Sequence, residues 1–438
     1  MGAGPGDPTS EGPGDPSARP VSRAYANYVL GVLLLVYVMN FVDRQVLAIL
    51  LEDIKRDLQV SDTALGLLSG LAFALFYTLA GIPIARWADR GSRRLIISLG
   101  LAVWSGMTAL SGLTQSFAQL ALARVGVGVG EAAGSPPSHS LISDYFPPER
   151  RATALSIYAM GIYLGVMLGY LAGGWLNQAF DWRTAFIVVG LPGIPLALLV
   201  RFTVREPPRG LSEHGPVDTR SLELAEVARF LLARRSFVLL VLAASCQSLT
   251  GYAMLAWGPA FLGRVHGMQS GEIGLWVGLI TGLGGGLGAY LGGRLTDHLA
   301  KRDVRWALWL PAIVSVAGVP FAIPFLLLDD RTLALAAFAP FYLLGAMYVG
   351  PLWSVPQNLV KVRMRALASA LLLFILNLVG LGLGPLVVGF LNDLLAPRFG
   401  AEAIRYSLLS VSLMGGLAGL FFWLGARSYP RDLASRDA

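Results

Sequence analysis

Apolar residues in this chain run in long blocks separated by short charged or turn-forming stretches, and twelve blocks are long enough to matter. A bilayer core about 30 Å thick needs about 20 mostly apolar residues per helix. The pattern therefore predicts twelve membrane-spanning helices, over 26–51, 64–85, 95–114, 119–143, 153–178, 184–203, 236–262, 272–294, 306–328, 332–358, 366–394 and 403–426. The ten-residue alternation of outer-membrane barrel strands is absent, so the fold class is an all-α integral membrane protein. The longest polar interruption, Arg201 to Phe237, contains Pro207, Pro208 and Pro216 and divides six spans from six. The expected organisation is a disordered tail over 1–22, a six-helix half over 23–203, a linker over 204–235, a second half over 236–428 and a short tail over 429–438. Within the linker, "SLELAEVARFLLARR" repeats apolar residues at helical spacing and predicts a short amphipathic helix.

Composition agrees with the pattern: 55% of the 438 residues are hydrophobic and 14% charged, with a mean hydropathy of +0.62. The net charge of +7 would point to nucleic acid in a soluble protein. Its distribution gives a different reading. Of 34 basic residues, 25 fall on the side of the termini and two, Arg44 and Arg124, within spans. The other seven (Lys55, Arg56, Arg183, Arg264, Arg331, Arg398 and Arg405) fall on the far side. An excess of Lys and Arg marks the cytoplasmic side, so both termini are expected in the cytoplasm and the charge serves the lipid surface, with no nucleic-acid partner. The lone Cys246 excludes a disulfide within the chain, and no Asn-x-Ser/Thr acceptor occurs. Both fit a bacterial inner membrane. No Cys/His/carboxylate cluster has metal-ligand spacing and no nucleophile is set beside a base, so neither an enzyme nor a cofactor is expected.

The two halves echo one another. "ARWADRGSRR" follows the second span and "GRLTDHLAKR" the eighth, which sets Asp89 and Asp297 at matching places; "RATALS" from Arg151 precedes the fifth span and "RALASA" from Arg365 the eleventh. Such repeats argue for duplication with parallel topology. Over residues 22–428 the chain resembles the major facilitator superfamily, whose loop motif Gly-x3-Asp-Arg/Lys-x-Gly-Arg/Lys-Arg/Lys is read here as Ala85, Asp89, Arg90, Gly91, Arg93 and Arg94. Ala85 replaces the usual Gly, and the second Gly is displaced by one position. The resemblance implies twelve helices in two pseudo-symmetric halves, and a gating latch in which an aspartate near a helix N-terminus pairs with cytoplasmic arginine. Asp89, Arg90, Arg93, Arg94, Arg151, Asp297 and Arg365 are its candidates, a purely topogenic role for the arginines being the alternative.

Charges at membrane depth carry the chemistry. Asp43 and Arg44 lie in the first span, Arg124 and Glu131 in the fourth. Such groups cost several kcal/mol in lipid and must face one another or a polar cavity. With the spans above, Asp43 lies about 25 Å from the cytoplasmic end and Glu131 about 18 Å from the opposite end, hence at different heights. Adjacent helical residues diverge by about 100°. Arg44 is expected to face the cavity and meet substrate or Glu131, while Asp43 packs against a neighbouring helix and titrates; a static salt bridge is the alternative.

"RVGVGVGEAAGSPPSH", Arg124 to His139, is no phosphate loop, since no strand precedes it. Gly126, Gly128 and Gly130 permit close helix contact, and Pro136 with Pro137 should kink the span. The string resembles the superfamily's fourth-helix motif, with Arg124 as the basic residue to which proton coupling is ascribed. Gly161, Gly165, Gly169 and Gly173 form a seam on the fifth span, where Val166 replaces the proline of drug:proton antiporters. His139 reads as a hydrogen-bonded structural residue. The second half offers neutral cavity candidates, Gln247, Ser248, Thr250, Tyr252, Trp353, Gln357 and Asn377, with Trp257 expected as an interfacial anchor. A substrate site of Arg44, Glu131, Gln247, Tyr252, Trp353 and Asn377 suits a long-tailed amphiphile better than a sugar.

Met39 to Arg90, with its Phe-x-Asp-Arg string, and "GVGEAAGSPPSHSLISDYFPPERRATALSIYAMGIYLG" are similar to the Spinster group of the superfamily. That resemblance implies lysolipid transport and proton coupling, with Asp43 and Glu131 as protonation sites and Arg44 as their partner and a contact for a phosphate headgroup. The expectation is a monomeric, proton-coupled secondary transporter of lysolipids or related amphiphiles working by alternating access. A multidrug or small organic-anion carrier of the same fold, and a non-transporting receptor or scaffold, are the competing readings.

Overall fold

A computed structural model describes residues 22–208, 224–361 and 364–435, with the side chains of Asp89, Leu224 and Ala366 left aside. The N-terminal tail to residue 21, Pro216 and Arg363 thus lie outside the described residues, whereas the short tail expected over 429–438 is helical as far as Ala434, continuing the twelfth span. Among the described residues the chain is helical, without strands. Ten helices are long and apolar enough to cross a membrane, and two features hide the remaining crossings. The fourth span is split into Phe117–Glu131 and Ser135–Tyr145. The stretch Leu367–Ala434 counts as one helix of 68 residues, yet at 1.5 Å per residue it would be about 100 Å long. It turns back at Gly400, whose φ of 56° is a left-handed conformation suited to glycine. The result is twelve spans in two halves of six.

The first span, Arg23–Leu58, is longer than the hydropathy pattern indicates. It begins at Ser22, whose hydroxyl accepts the Tyr25 N–H, and continues past the apolar run to Lys55 and Arg56, which suit the negative end of the helix dipole. This extension corrects the depths inferred from sequence. Measured from the face opposite the termini, hereafter the distal face, Asp43 is 15 residues from Leu58 and Glu131 is 14 from Phe117. Both therefore lie about 21–23 Å deep, at one height.

Glycines set the helix contacts. Gly161, Gly165, Gly169 and Gly173 bring the fifth span, Pro148–Ala179, against Tyr37, Val38, Val42 and Ile49 of the first. In the fourth span, Gly126 and Gly130 admit Met107 and Trp104 of the third, and Gly128 admits Phe73 of the second. Three π-helical turns, Leu68–Ala72, Ile280–Gly284 and Asn377–Leu383, interrupt the second, eighth and eleventh spans. Each of these spans packs against the other half, and π turns recur where a helix must deform at a working site.

Core packing divides the molecule in a telling way. At the distal end one apolar core is shared by both halves, with Val46, Leu50 and Tyr170 beside Trp257, Phe261 and Phe325. Toward the termini the two largest cores are separate. Leu33, Leu101, Trp104 and Val200 belong to the first half, and Phe237, Leu240, Leu308 and Phe422 to the second. The linker helix, Leu224–Leu232, joins the latter by burying Val227 and Leu231, so its apolar face packs on protein. The halves are thus fused at the distal face and packed separately at the other.

Candidate functional site

The fourth span breaks immediately after Glu131: Ala132–Gly134 turn, and a second helix starts at Ser135 with prolines in its first turn, where a missing N–H is harmless. The break brings Glu131 to Arg44, whose Nε donates to Glu131 Oε2 at 2.7 Å. Rings of Phe41, Phe73 and Tyr77 stand 5.1, 5.0 and 5.3 Å from the guanidinium, so this cation is held by aromatic faces as well as by its carboxylate. Asp43 is fully buried beside Glu131 and Arg124, with the Thr108 hydroxyl nearby. Neither of its oxygens closes a hydrogen bond, nor do Arg124 Nε and Nη1 or Glu131 Oε1. Two acids and two guanidiniums thus share one buried site with much of their hydrogen-bonding capacity unused. Unpaired buried polar atoms are costly, so the cluster stands out from the apolar packing around it.

Two cavities adjoin this cluster between the halves. One, of about 200 Å³, is lined by Arg44, Arg124, Gln45 and Ser69 together with Phe41 and Phe73. The other, of about 210 Å³, lies in the second half and is mostly apolar, with Gln247, Ser248 and Thr250 in its wall. Tyr163, Tyr252, Leu255 and Tyr342 line both. Of the sequence candidates, Arg44, Gln247 and Tyr252 reach a cavity and Glu131 stands behind Arg44. Trp353 packs with Val241 and Tyr348 against Leu352 and Leu372 instead, and neither it nor Asn377 lines these walls. Gln357 offers its carbonyl to Arg365. His139 meets the Tyr158 ring edge-on. Trp257 is not an interfacial anchor: it is completely buried and donates to the Pro385 carbonyl at 2.8 Å, tying the seventh span to the eleventh.

The distal face is closed by an ion network that hydropathy gave no reason to expect. Arg264, at the end of the seventh span, donates to Glu52 of the first at 2.6 Å and to Asp62 of the second at 2.8 Å. Lys55 reaches Asp62 at 2.6 Å, and Asn392 of the eleventh span donates to the same carboxylate at 3.0 Å. Asp393 accepts from the backbone N–H of Asp62 and Thr63 and from the Thr63 hydroxyl. One half therefore caps a helix of the other. Below this network Gly66 lies against Pro385 and Gly70 against Gly382, with no room for a side chain.

On the termini side, Arg93 is buried and donates to Glu206 at 2.7 Å, Ser140 at 2.8 Å, Asp144 and the Pro207 carbonyl. Among the described side chains Glu206 stands at the N-terminus of the third span, where it also accepts from Ser92 and the Arg94 N–H. Asp89 is the penultimate residue of the second span, its side chain outside the described residues. Arg90, Asp297 and Arg365 are exposed, and Arg151 is half-buried. Burial acts to raise the Glu206 pKa, but the Arg94 N–H, Arg93 and Ser92 outweigh it and hold the carboxyl below its ordinary 4.5. A lowered folded-state pKa contributes stability that is complete above the unfolded value and is lost as the pH falls through the folded one. Release of the 204–208 segment, followed by limited proteolysis of the linker, should therefore be flat above pH 4.5 and rise only below it; Glu206→Gln should raise cleavage at neutral pH.

Comparison with known proteins gives this geometry a family. The model of the Major Facilitator Superfamily matches residues 33–385. An "MFS-type efflux pump" of Mycolicibacterium smegmatis is 38% identical, with 94% of each chain covered. "Protein spinster homolog 1" of Mus musculus is 29% identical over 94% of this chain and 82% of its own. Among solved structures, a bacterial homologue of the human lysosomal transporter Spinster, inward-facing and unoccupied, matches with a TM-score of 0.86 and 33% identity. It covers 94% of this chain and 99% of that one; the occupied form matches at 0.83. A D-xylose-proton symporter at 18% identity and a TM-score of 0.71 shares the fold. With its twelve spans, its duplicated halves and the site between them, the chain is a transporter of the major facilitator superfamily and belongs to the Spinster group.

Proposed function

We propose that this transporter moves a lysolipid or similar single-chain amphiphile, coupled to protons, by alternating access. The observation that carries the reading is the pair of adjoining cavities: one wall presents Arg44 and Arg124, and the neighbouring space is apolar with only a few hydroxyl and amide groups. A phosphate headgroup suits guanidinium donors and an acyl chain suits the apolar space. Asp43 and Glu131 are the protonation sites: a proton on Glu131 loosens its hold on Arg44, frees that cation for the headgroup and biases the equilibrium between the two access states. Positive residues on the side of the termini support a cytoplasmic location for both ends and residence in a bacterial inner membrane. With the distal face closed, the arrangement then corresponds to an inward-facing state. A single chain encloses both cavities, which supports a monomer as the working unit.

A drug-efflux reading draws on the efflux pump at 38% identity, since the same cavities suit an amphiphilic drug. The deciding experiment follows internal pH in proteoliposomes on addition of a lysophospholipid, with protein-free liposomes correcting for detergent-like leak. Protein-dependent proton movement that varies with chain length and headgroup is the expected result. Proton movement evoked by amphiphilic drugs but by no lysophospholipid would transfer the assignment to efflux.

A further inference from the structure

Away from the transport path, a cavity of about 670 Å³ opens on the termini side where the seventh span begins and the twelfth ends. Its wall carries Arg234, Arg235, Arg427 and Arg431 against one carboxylate, Asp432. That carboxylate is already committed, because it accepts the Ser236 N–H at 2.7 Å at the first turn of the seventh span. Arg234 is likewise engaged. Its Nη atoms donate to the carbonyls of Phe230 and Ser435, each at 2.9 Å, and its guanidinium lies 3.5 Å from the centre of the Phe230 ring. It fastens the linker helix to the end of the chain. Arg235, Arg427 and Arg431 remain exposed, and among the described residues no carboxylate pairs with them. Collecting like charges around one cavity is unfavourable unless an anion occupies it.

The depth and the neighbours identify the anion. The Arg427 guanidinium lies 3.7 Å from the centre of the Trp423 ring, and Trp423 and Leu232 are exposed. An exposed tryptophan near the end of a span belongs at the headgroup level, so the arginines meet phosphates while Trp423 and Leu232 meet the upper acyl chains. Stacking also holds the Arg427 fork in place, which favours two-point recognition of a phosphate. We infer that this cavity is a site for the headgroup phosphate of an anionic phospholipid from the leaflet on the side of the termini, held by Arg235, Arg427 and Arg431. The lipid there bridges the linker, the seventh span and the twelfth, which are the parts that must move together when the second half rocks.

The test is the melting temperature of the full chain in detergent, titrated separately with phosphatidylglycerol, phosphatidylcholine and inorganic phosphate. Phosphatidylglycerol should raise it, and the other two should not. Each arginine removed should weaken the response roughly fivefold, so Arg431→Gln shifts the midpoint modestly and the Arg427→Gln/Arg431→Gln pair by more than about tenfold. Both changes are at exposed positions and leave the apolar core intact. The same phosphatidylglycerol midpoint in the double variant overturns the site. A full response to inorganic phosphate overturns the lipid assignment, and a response lost in Arg44→Gln but kept in the double variant overturns it in favour of the central cavity.

Discussion

Glu131→Gln is expected to abolish gradient-driven accumulation of substrate while leaving a folded protein that still exchanges substrate across the membrane. The glutamine keeps a carbonyl for Arg44 Nε at the position where Glu131 Oε2 now accepts at 2.7 Å, so the break within the fourth span and the aromatic rings around Arg44 stay in place. What disappears is the exchangeable proton. A carboxyl whose pKa differs by one unit between the two access states supplies about 1.4 kcal/mol of coupling, so its loss should lower concentrative transport by at least about tenfold. Counterflow, which needs no net proton movement, should persist. Monodisperse elution verifies folding, and the comparison of counterflow with pH-driven uptake in the same proteoliposomes decides the matter. Unimpaired pH-driven uptake in both Glu131→Gln and Asp43→Asn would sink proton coupling through this cluster and leave a static ion pair in its place.

Much of this was legible in the sequence, for identifiable reasons. Blocks of some twenty apolar residues are the strongest signal a chain can carry, and duplicated loop strings around Asp89 and Asp297 gave the two-half plan. Charges in apolar surroundings cost enough that Asp43, Arg44, Arg124 and Glu131 each declare themselves as candidates for function. Their common height did not emerge, because hydropathy ends the first span where lipid contact ends, whereas the helix runs on to Leu58. Trp257 misled for a related reason: a tryptophan near a span end resembles an anchor until a partner for its N–H, here the Pro385 carbonyl, is known.

Contacts between halves were the least accessible. Arg264 and Asp393 lie more than 200 residues from Glu52 and Asp62, and each, taken alone, is an ordinary charge in a loop or at a span end. The second span does have a helix start of the usual kind, with the Ser61 hydroxyl accepting the Ala64 N–H at 3.1 Å. That Asp393 adds a second cap from the other half is a property of one conformation. Sequence encodes the elements strongly and the contacts that differ between access states only weakly, since those contacts must be breakable.

That breakability makes Arg264→Gln the sharpest probe of the conformational equilibrium. Arg264 is the cation from the second half that bridges Glu52 and Asp62 of the first, and its side chain is only 12% exposed. Removing one partner from a buried pair costs up to about 3–5 kcal/mol. Lys55 and Asn392 continue to serve Asp62, so about 2–3 kcal/mol is the expected loss here. The cost falls on the state in which the halves meet at the distal face, because each half retains its own termini-side core. The ratio of distal-closed to distal-open molecules should therefore fall roughly 30- to 150-fold, without a matching loss of thermal stability. Spin labels at Gln59 and Ala401, exposed positions on opposite sides of the network, would report the change as a population at longer distance. Arg264→Lys, which keeps the charge but not the two-pronged fork, should lie between the two. Identical distance distributions in wild type and Arg264→Gln would mean that the glycine seams at Gly66 and Gly70 alone hold the distal face, and that the ion network is a consequence of closure with no part in its equilibrium.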